Sequence, residues 1–505
     1  MTRQDQGWLK FVCGSLISVT AGCGGGGGMG YGSSMNTPAP TASFSQPAAA
    51  AGINFGQAVT LAWTSAHATS CTAEASSAAG GAFSGSESTS GTMAVVPTGP
   101  GSYTYKLTCT GAGGSNSATT PTITVKPSIL STLASAGTIT PIGSTIDPQN
   151  GDLNPYGLAI APATSGLITA GDVVVCNFND GATNTQGNGT TIIGLHPTAG
   201  STPYRIAQSA DLQGCNALAM LPDDSISAAS WSSNQNPLVS ASGGVAEPFS
   251  ADTFGHPWGE VFVPAMAAVG GGGYAVPMSA MDAMQPAAAS APADAIYVSN
   301  VSGSIDRITL NGDAQSTFTE IASGFCGSGV PGALFAPAGL TYDPATDTLY
   351  IIDTSSASVV ALAGVSSIGA GGVVVNGQCT AASAPPTPVP TFSGASAASA
   401  RVIAHGAPLI APLSAALLSD GDLVVGNADI NIAASQTPNL MIEVSPVLPG
   451  GFVGQPFQAD ATMAPGTSTV IPGALFGIAA TVDAQGNQII YFNDDNTNSV
   501  MRLSQ

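Results

Sequence analysis

The chain has 505 residues, a formal net charge of −21 and 44% hydrophobic content, with only 7% charged residues and as many as 64 glycines and 36 prolines. Its length exceeds one ordinary domain and can bury a large core. So negative a surface repels phosphate backbones and offers no basic patch to anionic headgroups, which argues against nucleic acid as a partner.

At the N-terminus, Arg3 and Lys10 precede Phe11 to Val19, an apolar run too short to span a bilayer and right for the core of a signal peptide. Thr20, Ala21, Gly22 and Cys23 follow, then a glycine run. The arrangement resembles a bacterial lipoprotein signal, although Thr20 stands where such signals usually carry an aliphatic residue. The resemblance implies that residues 1–22 are removed and that Cys23 is acylated. It also implies an exported protein anchored to the outer membrane through that lipid and facing the periplasm or the cell surface. Ordinary cleavage after Ala21 is the alternative. Residues 23–41, rich in Gly, Ser and Pro, read as a flexible tether.

Six cysteines remain beyond Cys13 and Cys23. Their placement in sequential pairs makes Cys71–Cys109, Cys176–Cys215 and Cys326–Cys379 the economical pairing, and none shows the Cys-x-x-Cys spacing of a zinc or redox site. Disulfides in an oxidising compartment are expected.

From 42 to 126, short β-type runs alternate with Ser/Gly clusters: Ala58–Trp63, Thr69–Glu74, Thr92–Thr98, Tyr103–Gly111 and Pro121–Val125. Leu107 and Cys109 share one face. The segment, above all TCTGAGG from Thr108, resembles bacterial immunoglobulin-like domains. That resemblance implies a small β-sandwich acting as a spacer or binding module.

The remainder, 127–505, repeats a unit whose clearest copy runs from Pro337 to Leu362: a loop with glycine, an apolar strand, an Asp-Pro turn, a second strand ending in Asp, a polar turn and a third strand. Copies begin near Gly157, Asn216, Gly259, Gly339, Ala415 and Gly477. Three strands cannot close a sheet alone, and radial repetition solves the edge problem, so a six-bladed β-propeller is predicted. The segment Thr138–Ile146 is expected to latch the last blade. The pattern resembles NHL-repeat proteins and the wider six-bladed group that includes gluconolactonase-like enzymes. The fold class is therefore all-β, an immunoglobulin-like sandwich followed by a propeller.

Asn177, Asn300, Asp353, Asn427 and Asn493 recur where second strands end, a place suited to Asx side chains that bond turn amides. Asp494 and Asp495 exceed what the turn needs and leave room for an oxygen-ligand site for calcium or magnesium. Loops entering the innermost strands carry Asn154, Tyr156, Asn216, Trp258 and Phe476. With the strand-end residues they mark one mouth of the channel as a face for a small polar ligand, a glycan or a protein. His256 and Glu260 are the acid/base candidates. The expected function is ligand recognition by an exported, membrane-anchored protein; a metal-dependent lactonase- or lyase-like enzyme is the alternative.

Overall fold

A computed structural model describes residues 37–246, 254–265, 293–311, 316–330, 333–376, 388–427, 437–448, 450–464 and 470–505. The signal segment, Cys23, most of the tether and Cys379 lie outside these residues. Apart from short 3-10 turns, the described chain is all-β with one helix, α1 (Ile129–Ala136).

Residues 41–125 form sheets around one core. Thr41–Gln46, Val59–Ala66 and Ser90–Val95 make one sheet, and Gly85–Glu87, Ser70–Ala75, Tyr105–Gly111 and Gly114–Thr119 make another. The two-residue period sends Leu61, Trp63, Ala73, Tyr105 and Leu107 inward around Phe83. Cys71 lies opposite Cys109 in the strand register, and the two form a disulfide.

The rest is a six-bladed propeller. Innermost strands Leu153–Ile160, Cys215–Met220, Pro257–Val263, Pro337–Asp343, Pro412–Leu417 and Ala474–Val482 each open an antiparallel blade and neighbour one another in a closed ring. Blades 1 to 6 are numbered in that order. Blade 6 takes its outermost strand from Thr138–Ser144, which pairs with the C-terminal strand Ser499–Ser504 and closes the ring as expected. Ile142, fully buried between Val500 and the blade 1 strands, anchors that latch.

Blades meet closely at the channel. A Cβ on Gly259 would lie 2.0 Å from the Ala338 carbonyl oxygen, and one on Gly477 would lie 2.3 Å from that of Tyr156. Only glycine fits there, which explains why glycine marks the start of most repeats. Side chains then staple blade to blade. Asn216 donates to the Trp258 carbonyl at 2.8 Å, Ser299 to Ala338 at 2.6 Å, Thr354 to Pro412 at 2.6 Å and Ser414 to Leu475 at 2.5 Å. Blades 1 and 2 are joined covalently by Cys176–Cys215. Cys326 is also disulfide-bonded. Helix α1, capped by the Ser128 hydroxyl at the Ser131 amide, buries Leu130 and Leu133 against blades 5 and 6.

Candidate functional site

In each antiparallel blade the start of the first strand faces the end of the second, so both sets of predicted residues lie at one end of the channel. The register confirms this for Pro155 opposite Asn177, Pro257 opposite Asn300, Pro337 opposite Asp353 and Pro412 opposite Asn427. In blade 6 the residue facing Ala474 is Asp494. Asp494, and not Asn493, is thus the counterpart of Asp353, and the sequence alignment of that turn is corrected by one residue.

The two turns match in detail. Asp353 Oδ1 accepts from the Ser355 amide at 3.2 Å and its Oδ2 from the Ser356 hydroxyl; Asp494 Oδ1 accepts from the Asn496 amide at 3.0 Å and its Oδ2 from Thr497 at 2.8 Å. Ala357 and Asn498 take left-handed φ of 47° and 48° at the same place. Asp494 therefore serves the turn. Asn493 instead bridges blades: its Oδ1 accepts from the Gly477 amide at 2.7 Å and its Nδ2 donates to the Tyr156 carbonyl at 2.5 Å. Asn300 and Asn427 bond local groups, Asn300 to Ser304 and Asp306, Asn427 to Ile410 and Pro408.

The three predicted mouth aromatics meet. Tyr156 is sandwiched between Phe178 at 4.3 Å and Phe476 at 4.2 Å, with Trp258 edge-on at 6.1 Å. Contributions from blades 1, 3 and 6 converge, so the rings plug the channel; all are buried. The channel space that Tyr156, Trp258 and Phe476 line with Asn216 and Glu260 holds only ≈ 60 Å³. Ordinary ligand pockets run to about 300 Å³ or more, so waters fit this space and a sugar does not.

His256 and Glu260 are not brought together: among the described residues no hydrogen bond or ion pair joins them. His256 is exposed at the mouth, at φ 60°, directly before the proline that opens blade 3. Asn154 holds the same place in blade 1 at φ 66°. Asn and His tolerate this conformation better than most side chains. His256 Nδ1 lies 2.9 Å from the Trp231 carbonyl, its amide donates to Asn234 at 2.7 Å, and its ring stacks on Trp231 at 4.7 Å. Glu260 is buried in the channel wall, where desolvation pushes its carboxyl up to about 8 against opposing bonds from Ser227 and Asn236.

Several covered polar atoms on blades 6, 1 and 2 are unpaired. Asn154 Oδ1, Asn177 Oδ1, Asn216 Oδ1, Asp495 Oδ1 and Trp231 Nε1 are covered and have no hydrogen-bond partner. Burial and the neighbouring charges of Asp494 and Asp460 raise the Asp495 carboxyl to about 8. These atoms come from the adjacent blades 6, 1 and 2. Trp231 was not singled out by sequence. Its signal is positional, since Trp231, Val301, Thr354 and Asp495 all follow the second strand and donate their amides to the loop entering the first strand of the same blade.

No protein-family model and no curated protein matches the chain. Among solved structures it is similar to a catalytically inactive virginiamycin B lyase from Staphylococcus aureus with quinupristin, at 11% identity over 73% of this chain and 99% of that one, TM-score 0.38. It is also similar to the PQQ-bound aldose sugar dehydrogenase from Streptomyces coelicolor, at 13% identity over 75% and 99%, TM-score 0.40. Likeness at this level carries neither activity nor ligand to this chain; the propeller assignment stands on its own strand topology.

Proposed function

We propose that the chain is an exported lipoprotein in which an acylated Cys23 and a tether present an immunoglobulin-like spacer (42–126) and an NHL-like propeller (127–505) that binds a neutral, hydroxyl-rich ligand such as a sugar. The observation that supports the binding reading is the set of covered, unpaired polar atoms on blades 6, 1 and 2, Trp231 Nε1 among them. Three of the five are amide oxygens that accept, while Trp231 Nε1 and the protonated Asp495 carboxyl can donate, so a matching ligand both donates and accepts, as hydroxyls do. An indole face suits the apolar face of a sugar ring. The acidic surface disfavours anions. Because the polar atoms are covered, the half-buried Trp231 ring is the movable part in this reading, swinging aside as the ligand enters. The disulfides fit an oxidising compartment.

Calorimetric titration of the full chain with neutral mono- and disaccharides tests this reading. Saturable binding weakened by Asn154→Ala and Trp231→Ala is expected; no binding by any of them, or binding indifferent to both changes, would count against it. The enzyme alternative draws on one feature, Glu260, a carboxyl still protonated near neutral pH in the channel wall. A lactone hydrolysed by the wild type and not by Glu260→Gln would favour it.

A further inference from the structure

Away from the mouth, the turn between the first and second strands of blade 5 carries Asp420 and Asp422, and the third strand, Leu440–Val444, carries Glu443. One oxygen from each carboxylate lies within 4.8 Å of the other two. Asp422 is 6% exposed and Glu443 fully buried. Desolvation and the mutual repulsion of the three acids raise Asp422 to about 7 and Glu443 to about 8, with no basic side chain among the influences on either. Glu443 also receives the first turn of α1: its Oε1 accepts from the Ile129 amide at 3.2 Å and its Oε2 from the Leu130 amide at 2.6 Å.

An independent feature points into the same place. Ser445 Oγ is fully buried and has no hydrogen-bond partner, yet it lies beside the Asp422 carboxyl, close enough for its dipole to favour the anion. A buried hydroxyl left unpaired is costly, so its retention calls for a partner.

We propose that Asp420, Asp422, Glu443 and Ser445 hold one calcium ion, which fastens the junction helix α1 to blade 5. All four donors are hard oxygens, the set that calcium takes. Calcium accepts six to eight oxygens in a flexible geometry, which suits donors drawn from a turn and a strand, whereas magnesium demands a near-ideal octahedron and keeps several of its waters. Half-buried Asp420 leaves a route for the ion and for the waters that complete its shell.

The test is equilibrium dialysis of the chelator-treated full chain against radioactive calcium, with far-UV circular dichroism on every variant. One ion bound per chain is expected, with affinity lowered roughly tenfold or more by Asp422→Asn. Asp420→Asn, at a half-exposed turn that tolerates the change, should show the same loss with an unaltered spectrum. Asp495→Asn should bind like the wild type. Absence of saturable binding would overturn the proposal, as would binding undiminished in a folded Asp420→Asn chain, loss in Asp495→Asn instead, or magnesium saturating the site equally tightly.

Discussion

The side-chain amide of Asn493 in blade 6 donates to the main-chain carbonyl of Tyr156 in blade 1 at 2.5 Å, while its oxygen receives the Gly477 amide at 2.7 Å. One side chain thus joins the last blade to the first, and Ser299 does the same between blades 3 and 4 by receiving Gly259 and donating to Ala338. Asn493→Ala leaves a buried amide and a buried carbonyl unpaired and is expected to cost about 1–3 kcal/mol in chemical denaturation. An unchanged unfolding midpoint would show that the ring closes without this bridge.

The latch carries a second expectation. Ile142→Ala, in the strand that precedes the whole ring in sequence yet completes its last blade, should cost about 2–5 kcal/mol, because it removes a fully buried side chain from the seam between blades 6 and 1. Val389→Ala, at an exposed side chain, should be neutral within about 0.5 kcal/mol. Equal effects would mean that the latch is not closed in solution.

Two of the disulfides should separate by element. Cys176–Cys215 spans 39 residues between two blades, and its replacement by serines is expected to cost about 2–4 kcal/mol of propeller stability. Cys71–Cys109 ties paired strands in the N-terminal unit, so its loss should leave the propeller transition in place. Differential scanning calorimetry of the two double variants checks this; a propeller transition lowered by Cys71→Ser/Cys109→Ser and not by the other pair would contradict it.

Glu260 gives a pH dependence whose sign is fixed. In the folded chain it keeps its proton to about pH 8, whereas in the unfolded chain it ionises in the ordinary carboxylate range. Its contribution to stability is full below that range and lost as pH rises toward 8. Glu260→Gln, measured by denaturant melts at intervals across this window, should flatten the decline and gain at least about 1 kcal/mol relative to the wild type at the alkaline end. A slope identical to that of the wild type would remove Glu260 as its source.

Much of this architecture was legible in the sequence because strand period and turn chemistry repeat. Gly157, Gly259, Gly339 and Gly477 stand at the inner-strand positions where blades meet, and the Asp353 turn reappears at Asp494 down to its hydroxyl partners. What sequence reasoning missed depends on contacts between blades. The one-residue correction at Asn493 was open to local comparison, since Tyr491–Asp494 matches Tyr350–Asp353; what no local pattern announces is that the Asn493 side chain reaches Gly477 and, across the seam between blades, Tyr156. Trp231 sits directly after a strand whose repeat is weak. Asp420 and Glu443 are separated by a whole strand and converge only because blade 5 folds back on itself.

The most direct test of the binding face is saturation-transfer NMR on the full chain with neutral sugars, repeated on Trp231→Ala. Transfer to sugar ring protons is expected from the wild type and its loss in the variant, with the fold retained. Transfer from neither protein, or equal transfer from both, would contradict the placement of the ligand against Trp231.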